Sequence, residues 1–189
     1  MKNKFLIIII SFFFTTKSFA ENISIEAKNI VLDKDRVTTI FENEVIVKTE
    51  DGIIKSDYVK YNKEKGFLIL RKKVEVIDKS NNIINADYAE YVENGKVLKT
   101  IGKTEIQTSE KYFIVGEDIT FDNEKKFISS IKSSEIKDKE GNIINLENFE
   151  YNVENSIFKS VGLIQIKDKK GNNYKFSQIF LDTKKKEIL

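Results

Sequence analysis

From about residue 23 onward, apolar and polar positions alternate at a spacing of two, broken at intervals by Gly- and Asn-rich segments. That alternation predicts short β-strands with one buried face and tight turns between them. The pattern recurs every thirty residues without gaps, and such a fixed period marks a stack of similar supersecondary units. Ile46, Val76, Ile106, Ile136 and Ile166 share one column. Val59, Ala89, Ile119, Phe149 and Ile179 form a second, and Tyr61, Tyr91, Phe121, Tyr151 and Leu181 a third, two residues on. Leu68, Leu98, Ile128, Phe158 and Ile188 make a fourth column, and Ile54, Ile84, Ile114, Ile144 and Tyr174 a fifth. These columns are the expected core.

The turn signals keep the same register: Asp51-Gly52, Asn81-Asn82, Gly141-Asn142 and Gly171-Asn172 in one place, and residues 62–66, 93–95 and 122–125 in another. Gly and Asn tolerate the positive φ that tight turns demand. Each unit reads as about three strands of roughly six to nine residues. Helical spacing is not sustained after the N-terminal segment, so the expected fold is all-β. Within a unit the inward positions step from Ser56 to Val59, three residues where alternation requires two, which predicts a bulge near Asp57 and Tyr58. Residues 23–41 resemble a partial unit, with Ala27, Ile30 and Leu32 echoing Ser56, Val59 and Tyr61 at a spacing of 29. The chain stops at Leu189 inside a unit, which suggests either an edge strand meant for a partner or the front portion of a longer polypeptide.

The N-terminus changes the picture of where the protein works. Lys2 and Lys4 precede apolar runs at 5–10 and 12–14, too short to span a bilayer, and Ser18-Phe19-Ala20 offers small residues for cleavage after Ala20. Residues 1–20 are therefore expected to be a signal peptide and 21–189 the mature domain, an uncleaved anchor being the alternative. Loss of Lys2, Lys4 and Lys17 turns 32 basic against 30 acidic residues into 29 against 30. A chain so close to neutral has no basic stripe for nucleic acid. Cysteine and histidine are both absent, which removes thiol–imidazole nucleophile pairs, most zinc sites and haem ligation. No cofactor is expected.

Two segments carry a family resemblance: Val45-Ile46-Val47 followed by residues 53–61, and Val74-Glu75-Val76 followed by residues 83–91, each centred on Asp57-Tyr58 or Asp87-Tyr88. They resemble the OstA-type periplasmic domain family, which takes in the lipopolysaccharide bridge protein LptA and the N-terminal domain of the assembly protein LptD. Weaker echoes stand at Glu117 and Glu147. The family often carries Gly ahead of the first strand; Gly102 and Gly162 fit, whereas Asn43 and Lys72 stand in elsewhere.

The resemblance implies a slotted antiparallel β-jellyroll, or β-taco, here of about five units, whose apolar slot holds the acyl chains of lipid A. It implies a non-enzymatic, periplasmic component of the bridge that delivers lipopolysaccharide to the outer membrane, either an LptA-like protein or the N-terminal domain of an LptD-like one. Its expected partners are lipopolysaccharide, other jellyroll components joined end to end by β-strand addition, and an outer-membrane barrel. The slot lining expected on this basis is Ile46, Ile54, Val59, Tyr61, Leu68, Val76, Ile84, Tyr91, Leu98, Ile106, Ile114, Ile119, Phe121, Ile128, Ile136, Phe149, Tyr151 and Phe158.

Other readings stay open on the residues themselves. Any of these columns serves equally as packed core, and Tyr61, Tyr91 and Tyr151 suit a slot rim because a phenol presents a ring to hydrocarbon and a hydroxyl to water. Asp57 and Asp87 read as bulge residues before acidic functional ones. An exported structural β-solenoid with a sealed interior would show the same periodicity, and a carboxylate-only glycosidase would need a cleft with one raised pKa.

Overall fold

The structure is a computed structural model and describes residues 23–35, 37–185 and 187–188. The expected leader and its cleavage after Ala20 lie outside the described residues. Every regular element among them is a β-strand, and all strands belong to one antiparallel sheet. It begins with two short strands, β1 (Ser24–Glu26) and β2 (Asn29–Leu32), both paired with β3 (Thr38–Thr49). Three more long strands follow: β4 (Gly52–Asn62), β5 (Phe67–Asp78) and β6 (Ile83–Val92), each paired with its predecessor.

Beyond β6 each passage of the chain is broken into two half-strands. These are β7 (Val97–Thr100) and β8 (Lys103–Gln107), β9 (Phe113–Glu117) and β10 (Thr120–Asp122), β11 (Phe127–Ser130) and β12 (Ser134–Lys137), and β13 (Ile143–Leu146) and β14 (Phe149–Asn152). Long strands return with β15 (Ile157–Lys167) and β16 (Asn173–Asp182), and β17 (Glu187–Ile188) closes the described chain. A unit of thirty residues is thus two bent strands, or four half-strands, instead of the three straight ones the turn spacing predicts. The bend falls in mid-strand with no change in the apolar columns on either side, so the turn spacing alone hides it.

The bend is a line of bulges crossing the sheet. Register shifts fall between Glu42 and Val45, Lys55 and Tyr58, Arg71 and Val74, and Val161 and Ile164. Positive φ recurs on this line at Asn43 (64°), Lys72 (65°), Gly102 (81°) and Gly162 (123°). The expected glycine positions therefore mark the fold line in mid-strand, where only a left-handed residue carries the chain around the corner. Ser56 and Val59 are both buried with Asp57 and Tyr58 between them, so the predicted bulge is in place.

Four cross-strand ladders run along the inner face. One joins Val47, Ile54, Val76, Ile84, Ile106, Ile114, Ile136, Ile144 and Ile166 in successive pairings. Another, on the far side of the bend, joins Tyr61, Leu68, Tyr91, Leu98, Phe121, Ile128, Tyr151, Phe158 and Leu181. Flanking the bend are the ladder of Phe41, Val59, Leu70 and Ala89 and that of Val74, Ala86, Thr104 and Gly116. Inner side chains from both halves form one hydrophobic cluster. A single sheet can bury one of its own faces only by folding over it, and the line of bulges is where it folds.

The first unit is one residue short. Val47 faces Ile54 while Val76 faces Ile84, so the turn at Glu50 and Asp51 has one residue fewer than its successor. Ile46 consequently points outward, paired with Lys55 and Glu26, and Val47 takes the inner place. The spacing of 29 expected for residues 23–41 in fact extends to this turn: Ile30 pairs with Phe41 and Leu32 with Thr39, in line with Val59 and Tyr61.

Candidate functional site

The inner face is the candidate site, and its character changes along the molecule. Over β3–β8 it is shut: Val47, Val59, Leu68, Leu70 and Ala89 are fully buried, and Ile54, Ile84, Tyr91, Leu98 and Ile106 nearly so, whereas Ile30 and Leu32 on β2 are exposed. Toward the C-terminal end Ile114, Ile128, Ile144, Tyr151 and Ile166 are half-buried, and Tyr174 and Phe176 are 45% and 42% exposed. Within that second region Phe149 and Phe158 stay buried and stack with ring centroids 6.0 Å apart.

Of the expected lining, Ile46 is the one residue turned to the outer face. Val59, Val76, Ile119, Phe121, Ile136, Phe149 and Phe158 belong to the buried cluster with those already placed, and Tyr61 packs against it. The continuous open slot expected from the resemblance is thus closed over β3–β8 in this structure. Small and branched side chains from the two halves fill it there, and the packing loosens at Ile114, Ile128 and Ile144.

The two rims of the fold are built from turns. On one rim, Asp78 Oδ1 accepts the N–H groups of Ser80 and Asn82 at 2.8 and 2.9 Å while Asn82 Nδ2 donates to Asp78 Oδ2 at 2.7 Å. The same clasp recurs at Asp138 with Asn142 and at Asp168 with Asn172. Asn82 Oδ1 then accepts the Ser109 N–H, and Asn142 Oδ1 the Lys169 N–H, both at 2.9 Å, tying each turn to the next on that rim. On the other rim, N–H groups of Glu93, Asn123, Val153 and Thr183 donate to the carbonyls of Gly66, Lys96, Lys126 and Ser156 at 2.8 to 3.1 Å.

The three tyrosines expected at a rim differ in their access to water. Tyr61 Oη donates to Glu93 Oε2 at 3.2 Å, and Tyr151 Oη lies 3.3 Å from Thr183 Oγ1. Tyr91 is buried, and burial, followed by the nearby charges of Asp51 and Glu93, pushes its phenol up to about 12. Asp51 Oδ2 is itself buried without a hydrogen-bond partner.

At the bend, residues in the columns of the Asp-Tyr motif pair across the fold line with a side chain in the first unit and with the backbone in the later ones. Asp57 pairs with Lys73 at 3.1 Å, Asp118 Oδ1 accepts the Gly102 N–H at 2.8 Å, and Asn148 Nδ2 donates to the Val161 carbonyl at 2.6 Å. Inside the same line lies a set of hydroxyls that the apolar columns did not reveal. Ser56 Oγ donates to the Arg71 carbonyl at 2.8 Å, Ser130 Oγ to that of Glu117 at 2.8 Å and Ser160 Oγ to that of Asn148 at 2.7 Å. Thr100, Ser130 and Ser160 share a column just before the bend, and that recurrence of small hydroxyls was the available signal.

No family model matches the chain, and no curated protein sequence matches it. Among solved structures it is similar to LptH, the LptA-homologous periplasmic component of the lipopolysaccharide transport device of Pseudomonas aeruginosa. Identity is 12% over 88% of this chain and 80% of that one, with a TM-score of 0.24. It is also similar to the TCP10 domain of Danio rerio CPAP solved with a STIL peptide, at 10% identity over 80% of this chain and 97% of that one, TM-score 0.17. Scores of this size carry no functional weight, and the two neighbours differ in what they do. The functional reading therefore rests on the side chains.

Two outer grooves of about 760 and 550 Å³ lie beside the bend, sharing Lys103. In the larger one Lys55 pairs with Glu75, Lys73 with Asp57 and Lys103 with Glu105, at 2.7 to 3.1 Å. Charges neutralised in this way offer neither an anion cradle nor an apolar bed, which leaves the inner face as the better ligand site.

Proposed function

We propose that this chain is a periplasmic, non-enzymatic carrier that shelters lipopolysaccharide acyl chains along the inner face of its folded sheet. In this reading it is a component of a transport bridge to the outer membrane, as an LptA-like protein or the N-terminal part of an LptD-like one. Other jellyroll components would join its ends, and an outer-membrane barrel would receive the lipid. The observation that carries the reading is the unbroken pair of apolar ladders across the sheet, whose side chains are only half-buried at Ile114, Ile128, Ile144, Tyr151 and Ile166. Each methylene moved from water into such a surface contributes about 0.8 kcal/mol, so several acyl chains together would bind tightly.

A second reading has one observation in its favour. The closed interior of β3–β8 is what a sealed structural stack would have, its strands packed as an ordinary core. Photocrosslinking separates the two. A photoreactive residue at Ile106 or Tyr151 should yield lipopolysaccharide adducts in cells, and one at the outward Ile131, which is 87% exposed, should not. Equal labelling at all three positions, or none at the inner two, would leave the sealed stack standing and end the carrier reading.

A further inference from the structure

One rim of the folded sheet is knitted by main-chain hydrogen bonds, and the other by one such bond together with the Asn82 and Asn142 side chains. Glu93 N–H donates to Gly66 O at 2.8 Å, Asn123 N–H to Lys96 O at 3.1 Å and, on the opposite rim, Lys79 N–H to Asp51 O at 3.2 Å. At the bend the two halves are joined by continuous backbone and by buried hydroxyls. Across the mouth, in contrast, the rims meet through side chains. Glu50, at the turn between β3 and β4, places Oε2 2.7 Å from Lys96 Nζ, at the turn between β6 and β7, across 46 positions of sequence. Pairs such as Lys55–Glu75 and Lys159–Glu150 instead join neighbours on one half of the sheet. Behind the Glu50–Lys96 pair lies Tyr91, with the unpartnered Asp51 Oδ2 close enough to act on both Tyr91 and Lys96.

We propose that Glu50 and Lys96 form a releasable latch over the mouth of the fold, and that parting this pair opens the interior sideways to hydrocarbon. The inference rests on the acyl-chain reading above, whose closed interior over β3–β8 otherwise offers a ligand no way in except from the ends. The pair suits the task because it is partly exposed, with side-chain exposures of 55% for Glu50 and 41% for Lys96. An ion pair in such a setting shifts an equilibrium only about two- to fivefold and is weakened by salt. The apolar side chains that meet behind the pair carry most of the closure, so parting it raises the population of a rarely open mouth about two- to fivefold while the bend holds.

The chain has no cysteine, so a single Leu98→Cys, buried beside Tyr91 in the rim ladder, reports access to the interior by its rate of maleimide labelling. In that background Lys96→Glu should label about fivefold faster, since repulsion replaces attraction, and adding Glu50→Lys should return the rate to that of the parent. Raising the salt to about 0.5 M should speed labelling of the parent but not of Lys96→Ala. Urea unfolding of each variant separates local opening from global loss of stability. Unchanged labelling in Lys96→Glu, no rescue by the swap, or an acceleration fully matched by lost global stability would overturn the latch. Uptake of a fluorescent fatty acid is then followed in the same variants. A labelling response without any uptake would keep the latch and sink the acyl-chain reading, whereas uptake indifferent to the latch variants would sink lateral entry alone.

Discussion

Thr104 Oγ1 donates a hydrogen bond to Thr100 Oγ1 at 2.7 Å, with both side chains buried on the inner side of the bend. Thr100 Oγ1 also accepts the Ile119 N–H at 3.0 Å and donates to the Ile119 carbonyl at 3.2 Å, so one hydroxyl serves three groups that water cannot reach. The unit needs it because the fold line interrupts the ladder between β7 and β8, leaving backbone groups without strand partners. Thr100→Val keeps the shape and removes the hydroxyl. The expected loss is about 1–3 kcal/mol, the penalty for orphaning buried polar groups, read as a lower urea midpoint. A change below about 0.5 kcal/mol would mean the bend does not depend on this contact.

The corner residues make a second, opposite pair of predictions. Gly102 has φ +81° with open space where a Cβ would be, so Gly102→Ala suffers only from backbone strain and should cost about 1 kcal/mol. Lys72 occupies the same corner one unit earlier at φ 65° and already bears that strain. Lys72→Gly should accordingly stabilise the fold by about 0.5–1 kcal/mol, with the flexibility of glycine in the unfolded chain offsetting part of the gain. Chemical denaturation of the two variants side by side checks the sign of each.

How far the fold was legible follows from the same residues. Columns such as Val76, Ile106 and Ile136 are visible in sequence because side-chain alternation has a period of two and the turns keep a constant length. Ile46 was assigned to the inner face because the shortened turn at Glu50 and Asp51 moves the register by one, and a slip of one reverses every side chain. The bend was legible at Ser56 to Val59, where the alternation skips. It was missed as a device shared by every strand, because Asn43, Lys72, Gly102 and Gly162 have little in common except the φ they adopt. Closure over β3–β8 was invisible for a different reason: whether facing walls interlock depends on the angle of the fold, which no linear pattern encodes. The Glu50–Lys96 contact is likewise set by that angle.

The Asp-Asn clasps on one rim should make the protein acid-sensitive in a defined way. At Asp138 burial opposes ionisation, but hydrogen bonds from Asn142, Glu140 and Gly141 outweigh it and hold the carboxyl below its usual range. At Asp168 the Asn172 side chain leads the same effect. A carboxyl whose folded pKa is depressed contributes stability above its unfolded value and loses it as pH falls through the folded one. The stability from both groups should thus be complete above about pH 4 and decline below it. Asp138→Asn should flatten this decline, measured as urea midpoints between about pH 2 and pH 5. An unchanged acid profile would show that the clasp does not depend on charge.

Tyr91 should give the matching signature at high pH. Burial leads the upward shift, and Asp51, Glu93 and Glu50 add to it, so the neutral phenol is the form the folded state prefers up to about pH 12. A group whose folded pKa is raised contributes stability that is complete below its unfolded value, about 10 for tyrosine, and is lost as pH rises through the folded one. Absorbance at about 295 nm should therefore show Tyr91 ionising last of the seven tyrosines, after Tyr88 and Tyr112, which burial also raises, with unfolding setting in over the same interval. Tyr91→Phe should delete the late step and flatten the alkaline loss of stability between about pH 10 and pH 12, while leaving the near-neutral fold intact. Replacing Asp51 by Asn tests the cause: the late step should move to lower pH but stay above that of a free tyrosine, because burial remains when the neighbouring charge is gone. If Asp51→Asn leaves the step where it was, the carboxylate that lies unpartnered beside Tyr91 does not act on it, and burial with the Glu93 and Glu50 charges sets the shift.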